Sequence, residues 1–254
     1  MKYPFSFKRR LRAASFHLLI SLALAALVAM LVFGFWYPGA YRLMSGGREL
    51  FLLIIVVDVV LGPVLTFTVF DTGKCLNHLR RDVAMIGLIQ LAALGYGMNT
   101  VYLARPVLLV FEVDRFRVLT TADLDLTETP RARPEFRRLP LTGPWVIGTR
   151  KSIPGADKDE AIFKGIDGID IGQRPSFWQP YSESKAQAEA RAKPASLLLT
   201  KYPSRAAEVN RALSELKMNA AEAKFLPVMA RGDWVTLLDV NGIPTVFLPL
   251  DGFF

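Results

Sequence analysis

The chain has 254 residues, a formal net charge of +8 and a hydrophobic content of 52%, with charged residues at 21%, below the usual quarter or so of a soluble domain. Residues 1–103 hold 10 Lys/Arg against 4 Asp/Glu, a net +6 that leaves +2 for residues 104–254. This excludes a single soluble domain. It also argues against nucleic-acid binding, which would put a basic stripe on the polar part of the chain. One cysteine, Cys75, excludes an internal disulfide framework, a Cys-rich zinc site and a CxxC redox centre. With His17 and His78 as the only histidines, metal or triad chemistry has little material.

Three stretches meet the roughly 20 apolar residues that a bilayer crossing needs. They cover about 15–36, 50–70 and 83–104 within a transmembrane domain 1–104, followed by a domain 105–254. The first stretch is longer than a signal-peptide core, and no small-residue cleavage site follows it. It ends in Phe35-Trp36-Tyr37-Pro38, an aromatic sequence of the kind found at membrane interfaces. Lys2, Lys8, Arg9, Arg10 and Arg12 precede the first span, and Lys74, Arg80 and Arg81 lie between the second and third. Only Arg42 and Arg48 occupy the other loop. An eight-to-two bias puts the amino terminus in the cytoplasm and residues after Ala104 in the periplasm of a bacterial inner-membrane protein.

Polar residues inside the spans are the first candidate site. His17, Ser21, Ala25 and Ala29 recur every four residues along one face of the first span, and small residues so placed let helices approach closely. In the second span Asp58, Gly62 and Thr66 share a face, with Pro63 beside Gly62. A carboxylate at mid-membrane costs at least about 2.5–3.5 kcal/mol, so Asp58 needs protonation, a partner or water. Depth matching puts Asp58 nearest Tyr96 and Asn99 of the third span, and Gln90 nearer Pro63 and Thr66. Three readings stand: a hydrogen-bonded clasp between the second and third spans, a docking point for a polar group on another membrane helix, or a proton relay, for which the spans offer no second acidic residue.

Beyond Ala104 the apolar periodicity shortens. Val107–Val118 reads as one strand, 121–145 as an irregular connection and Trp145–Thr149 as a strand. Asp157–Lys164 can form a short helix, and 165–172 reads as turns. Ser182–Lys193 and Ser204–Met218 are helices, the latter with the stripe Ala206, Val209, Leu213, Leu216. Phe225–Met229, Trp234–Val240 and Pro244–Leu250 are strands, and Asn241-Gly242 marks a hairpin. The order predicts a small α+β domain with a mostly antiparallel sheet. Phe177, Trp178 and Tyr181 form an aromatic loop that either packs on the domain or serves as a partner patch. There is no GxSxG, HExxH or phosphate-binding loop. No enzyme activity, metal or cofactor is expected.

The strings Phe35-Trp36-Tyr37-Pro38-Gly39, Val57-Asp58-Val59-Val60-Leu61-Gly62-Pro63-Val64-Leu65-Thr66, Leu91-Ala92-Ala93-Leu94-Gly95-Tyr96-Gly97 and Phe111-Glu112-Val113-Asp114-Arg115-Phe116 carry a resemblance. In this order and spacing the chain resembles the type IV pilin accessory proteins of Gram-negative bacteria, the TfpX/TfpZ type, most closely over residues 10–125. The family's lysine-rich loop after the second span is replaced here by Asp71-Thr72-Gly73-Lys74-Cys75. The resemblance implies an inner-membrane, chaperone-like protein that binds a cognate type IV pilin and aids its stability or assembly. It implies contact with membrane lipids, no nucleic acid and no small-molecule substrate. The alternative is a membrane-anchored periplasmic sensor or ligand-binding module.

Overall fold

A computed structural model describes residues 7–70 and 75–254. Lys2 and the Asp71–Lys74 stretch, which contribute to the charge bias, lie outside the described residues. The chain divides into two compact units, Met1–Ala104 and Arg105–Phe254.

In the first unit three helices are long and apolar enough to cross a membrane: Phe7–Trp36, Gly47–Val69 and Leu76–Leu103. The first span comprises α1 (Phe7–Leu31) and a π-helical turn, Val32–Trp36. A short α2 (Tyr41–Met44) follows. The second span comprises α3 (Gly47–Ile55), a π-helical turn Val56–Leu61, and α4 (Gly62–Val69). The third span is α5 (Leu76–Leu103). The first and third helices start earlier than their apolar stretches. Lys8, Arg9, Arg10 and Arg12 favour helix as well as leucine does, and no breaker separates the polar residues 77–82 from the apolar run.

Ala14, Ser21 and Val28, seven residues apart, are the buried positions of α1. The second span buries Ile54, Asp58, Gly62, Pro63 and Thr66, so the expected Asp58, Gly62, Thr66 face is the packed one. The third span buries only Ile86 and Val101. The aromatic string closing the first span divides its roles. Phe35 is exposed, whereas Tyr37 is fully buried and its hydroxyl donates to the Val101 carbonyl at 3.0 Å. Gly47 makes room for that ring: a Cβ there would lie 2.4 Å from it. Trp36 meets Tyr102 edge-on at 5.1 Å.

The second unit is built on a mixed sheet whose order is β4-β3-β1-β2-β6-β7-β8, with β5 paired to β6. The strands are β1 (Pro106–Glu112), β2 (Arg115–Thr120), β3 (Trp145–Thr149), β4 (Trp178–Pro180), β5 (Lys193–Pro194), β6 (Lys224–Met229), β7 (Asp233–Leu238) and β8 (Pro244–Leu248). Two pairs, β1·β3 and β2·β6, are parallel, and the rest are antiparallel. Four helices accompany them: α6 (Ala156–Ile166), α7 (Tyr181–Arg191), α8 (Ser196–Lys201) and α9 (Ala206–Leu216). This is the expected α+β domain with a mostly antiparallel sheet.

The stretch expected as one strand, Val107–Val118, is a hairpin. The chain reverses at Val113-Asp114, so that Glu112 pairs with Arg115. Val113 takes a left-handed φ of 56°, an outlier for a β-branched residue. No glycine or asparagine marks the reversal, which is why alternation alone reads straight through it. At the β7–β8 hairpin, Asn241-Gly242 does turn the chain: the Asp239 carboxylate accepts from the Asn241 and Ile243 amides, each at 2.8 Å. One apolar cluster gathers Leu198, Val209, Leu213, Phe225, Val235 and Leu237, and another gathers Val107, Leu108, Val110, Leu119, Phe136 and Ile147.

Candidate functional site

The intramembrane polar residues converge on the packed face of the second span, with partners that differ from the expected ones. Thr66 Oγ1 and His17 Nδ1 are 2.6 Å apart, so the first span contributes the histidine of its small-residue stripe. Gln90 Nε2 donates to the Asp58 main-chain carbonyl at 3.2 Å. The physical reason lies in Pro63. Across the π-helical turn the donor for a carbonyl is five residues on, and for Asp58 that residue is Pro63, which has no N–H. The freed carbonyl takes a side-chain amide from the neighbouring helix instead. Gly62 is what admits it, since a Cβ at that position would lie 2.0 Å from Gln90 Nε2. Gln90 was expected nearer Pro63 and Thr66, and it sits instead over Gly62 and the Asp58 carbonyl.

The Asp58 side chain is buried, and its Oδ1 has no hydrogen-bond partner among the described residues. It borders a cavity of about 240 Å³ between the second and third spans, shared with Leu53, Ile54, Leu94, Tyr96 and Gly97. Tyr96 is therefore on the same cavity wall, though 77% exposed. Asn99 is on an exposed face of α5. What this arrangement offers is a carboxyl oxygen in apolar surroundings beside an open space, able to hydrogen-bond a polar group that enters between the helices. His17 was legible only as a member of a stripe. Depth matching applied to the first and second spans, rather than to the second and third alone, would have paired it with Thr66.

The aromatic loop is not an exposed patch. Phe177, Trp178 and Tyr181 are 0%, 2% and 7% exposed. Trp178 Nε1 donates to the Gly172 carbonyl at 2.8 Å, and the Tyr181 hydroxyl to that of Gly242 at 2.7 Å; burial raises the Tyr181 hydroxyl above its ordinary pKa. Their amphipathic rings make this possible, because each polar edge finds a main-chain acceptor inside the domain. Phe177 carries two guanidiniums, Arg150 at 4.1 Å and Arg174 at 4.7 Å from its ring centre.

Those arginines belong to a charge network around Glu128, which has no solvent exposure. Its carboxylate accepts from Lys164 at 2.7 Å, from Arg174 at 2.8 Å and from the Ser176 hydroxyl. Burial works against the charged form of Glu128, yet these three donors outweigh it and hold its pKa below the usual value. The Lys164 ammonium likewise lowers Asp125, and the Arg150 guanidinium, bonded bidentately at 2.9 Å, brings Asp157 down to about 2. Glu112, buried in β1, is shifted the other way by desolvation.

Three membrane-length helices tied by buried polar contacts, followed by an α+β unit, define a membrane-associated protein. Comparison with known proteins assigns it further: the chain belongs to a family of fimbrial assembly proteins. The family model described as fimbrial assembly protein FimB matches residues 5–46. The chain is 38% identical over 245 residues to the "Fimbrial assembly protein, serogroup I" of Dichelobacter nodosus, and 36% identical to its serogroup E1 counterpart, with 95% of each chain covered. A third relative, for serogroups C1 and C2 of that organism, is 45% identical over 121 residues, 48% of this chain and 92% of that one. No solved structure matches.

Two outcomes follow from this geometry. Gly62→Ala alone should destabilise the first unit by pushing Gln90 off its carbonyl, and Gln90→Ala should remove that clash. The double variant, unfolded thermally in detergent, should therefore show a coupling of about 1–3 kcal/mol rather than additive losses. In the second unit Asp157, Asp125 and Glu128 all have folded pKa values below their unfolded ones. Their stabilisation is full above the unfolded values of 3.8 and 4.5 and is lost as pH falls through the folded values, down to about 2 for Asp157. Unfolding followed between pH 5 and pH 2 should show a falling midpoint, and Asp157→Asn should lower stability at pH 5 and flatten that fall.

Proposed function

We propose that this chain is an inner-membrane accessory protein of the type IV pilin kind, which binds a cognate fimbrial subunit and aids its stability or assembly without catalysing a reaction. Likeness to fimbrial assembly proteins over 95% of both chains carries this reading. The Asp58 carboxyl supports it further, because an unpartnered oxygen beside an interhelical cavity suits a polar group on an incoming membrane helix. Its helix is already tied to the third span through Gln90 and the main chain, so the side chain itself is not needed for that tie. In this reading the amino terminus is cytoplasmic and residues 105–254 are periplasmic, which the eight-to-two distribution of basic residues supports.

Fusions at Phe254 test the orientation: alkaline phosphatase should be active there and green fluorescent protein dark, and the opposite pattern overturns it. Asp58→Leu should leave the abundance of the full chain intact while abolishing recovery of the fimbrial subunit with it. Asp58→Asn should retain much of that recovery, since an amide still hydrogen-bonds. Loss of abundance with Asp58→Leu would make the carboxyl a structural group and remove it from the binding role.

A further inference from the structure

Helix α6 is mounted with its polar side inward. At 100° per residue, positions 157, 160 and 164 share one side of the helix. These are the residues that hold it: Asp157 to Arg150 at 2.9 Å, Glu160 to Arg174 at 3.0 Å, and Lys164 to Glu128 and Asp125 at 2.7 Å. None of its residues is buried. The opposite side presents Ile162, Phe163 and Ile166, which are 52%, 67% and 76% exposed, and Ile153 stands out from the loop before it. A surface helix ordinarily turns its apolar stripe to the core. Here the ion pairs of the buried Glu128 network fix the reverse, and a contiguous apolar face is left to water, the usual mark of an interaction site.

Beside this face lies a hollow of about 430 Å³ at the carboxyl ends of the parallel neighbours β1 and β3. Arg150, Lys151, Lys158 and Arg191 line it, and no carboxylate does. Arg150 is neutralised by Asp157, whereas Lys151, Lys158 and Arg191 make no ion pair among the described residues. The strained Val113 forms part of the rim, where its carbonyl accepts from Gln187 Nε2 at 3.2 Å. Lys158 belongs to both surfaces, since it lines the hollow and precedes Ile162 by four residues, one helical turn.

We propose that the outer face of α6 and this cationic hollow form one docking surface for the globular part of the fimbrial subunit, taking a segment in which apolar side chains stand beside carboxylates. This rests on the fimbrial-subunit reading above and names the surface that serves it. The three uncompensated cations call for an acidic partner. The hollow is larger than a single oxyanion fills, and the apolar ridge continuous with it calls for a polypeptide rather than a free anion.

The test uses the full chain expressed with its fimbrial subunit. A photoactivatable residue at Phe163 should crosslink to the subunit, and one at Val240, more exposed still but on the β7–β8 turn, should not. Lys158→Glu/Arg191→Glu should lower subunit recovery by about tenfold or more at unchanged abundance of the full chain, and Phe163→Ser/Ile166→Ser should act in the same direction. If the unaltered chain recovers the subunit and both double variants recover it equally well, the surface is wrong while the function stands. Crosslinks from Phe163 to a second copy of this chain, or to lipid, overturn the proposed occupant. Failure of the unaltered chain to recover any subunit overturns the function and this surface with it.

Discussion

A main-chain carbonyl withdrawn from water must find a donor, and Pro63 removes one from the middle of the second span. The membrane unit is arranged around that deficit. The helix widens to a π-helical turn just before the proline, the Asp58 carbonyl is left without a helical donor, and Gln90 supplies one from the third span. Gly62 has no side chain because the Gln90 amide occupies that space. Asp58, Gly62 and Thr66, four residues apart, share one buried side, and Thr66 there meets His17 of the first span. A single missing N–H thus accounts for the Gln90 contact between the second and third spans.

An analogous requirement governs the second unit, with a charge in place of a carbonyl. Glu128 has no solvent exposure, and a carboxylate so placed is tolerable only when hydrogen-bonded cations surround it. Lys164 and Arg174 answer it, and because Lys164 sits on α6, the orientation of that helix is decided by electrostatics against its own apolar stripe. Phe177 is the platform on which two of the guanidiniums rest. An aromatic-rich loop whose sequence allows either packing on the domain or a contact surface is therefore packed as the floor of a charge network.

Where local pattern and packing agree, the sequence is readable. The three spans, the α+β order, the helix at Ser204–Met218 with its apolar stripe and the Asn241-Gly242 turn all follow from periodicity and turn chemistry. Elements decided by distant partners escape it. The Val113-Asp114 reversal has no glycine or asparagine, only a β-branched residue before an aspartate, and β4 and β5 are two or three residues long, too short for any period to show. The Asp58, Gly62 and Thr66 face was visible because helical spacing alone defines it. The role of Gln90 was not, since it depends on a carbonyl orphaned by a proline five residues away. Inverted α6 was equally hidden: amphipathicity gives a helix two faces without saying which of them a buried carboxylate will claim.

The two units hold exposed leucines and isoleucines in different solvents, and the third span draws out what that means. Leu88, Ile89 and Leu91 of α5 are each at least 60% exposed, yet in hydrocarbon that exposure has no hydrophobic cost, because lipid tails are as apolar as leucine. Exchanging a neighbouring lipid for a neighbouring helix is then close to indifferent along most of this span. Association there is decided by a handful of places where shape or polarity is particular, such as Gly97, which admits the Ile54 side chain where a Cβ would lie 2.7 Å from it. Away from Gln90, Gly97 and Val101, the third span can therefore trade a lipid neighbour for a protein one at little hydrophobic cost.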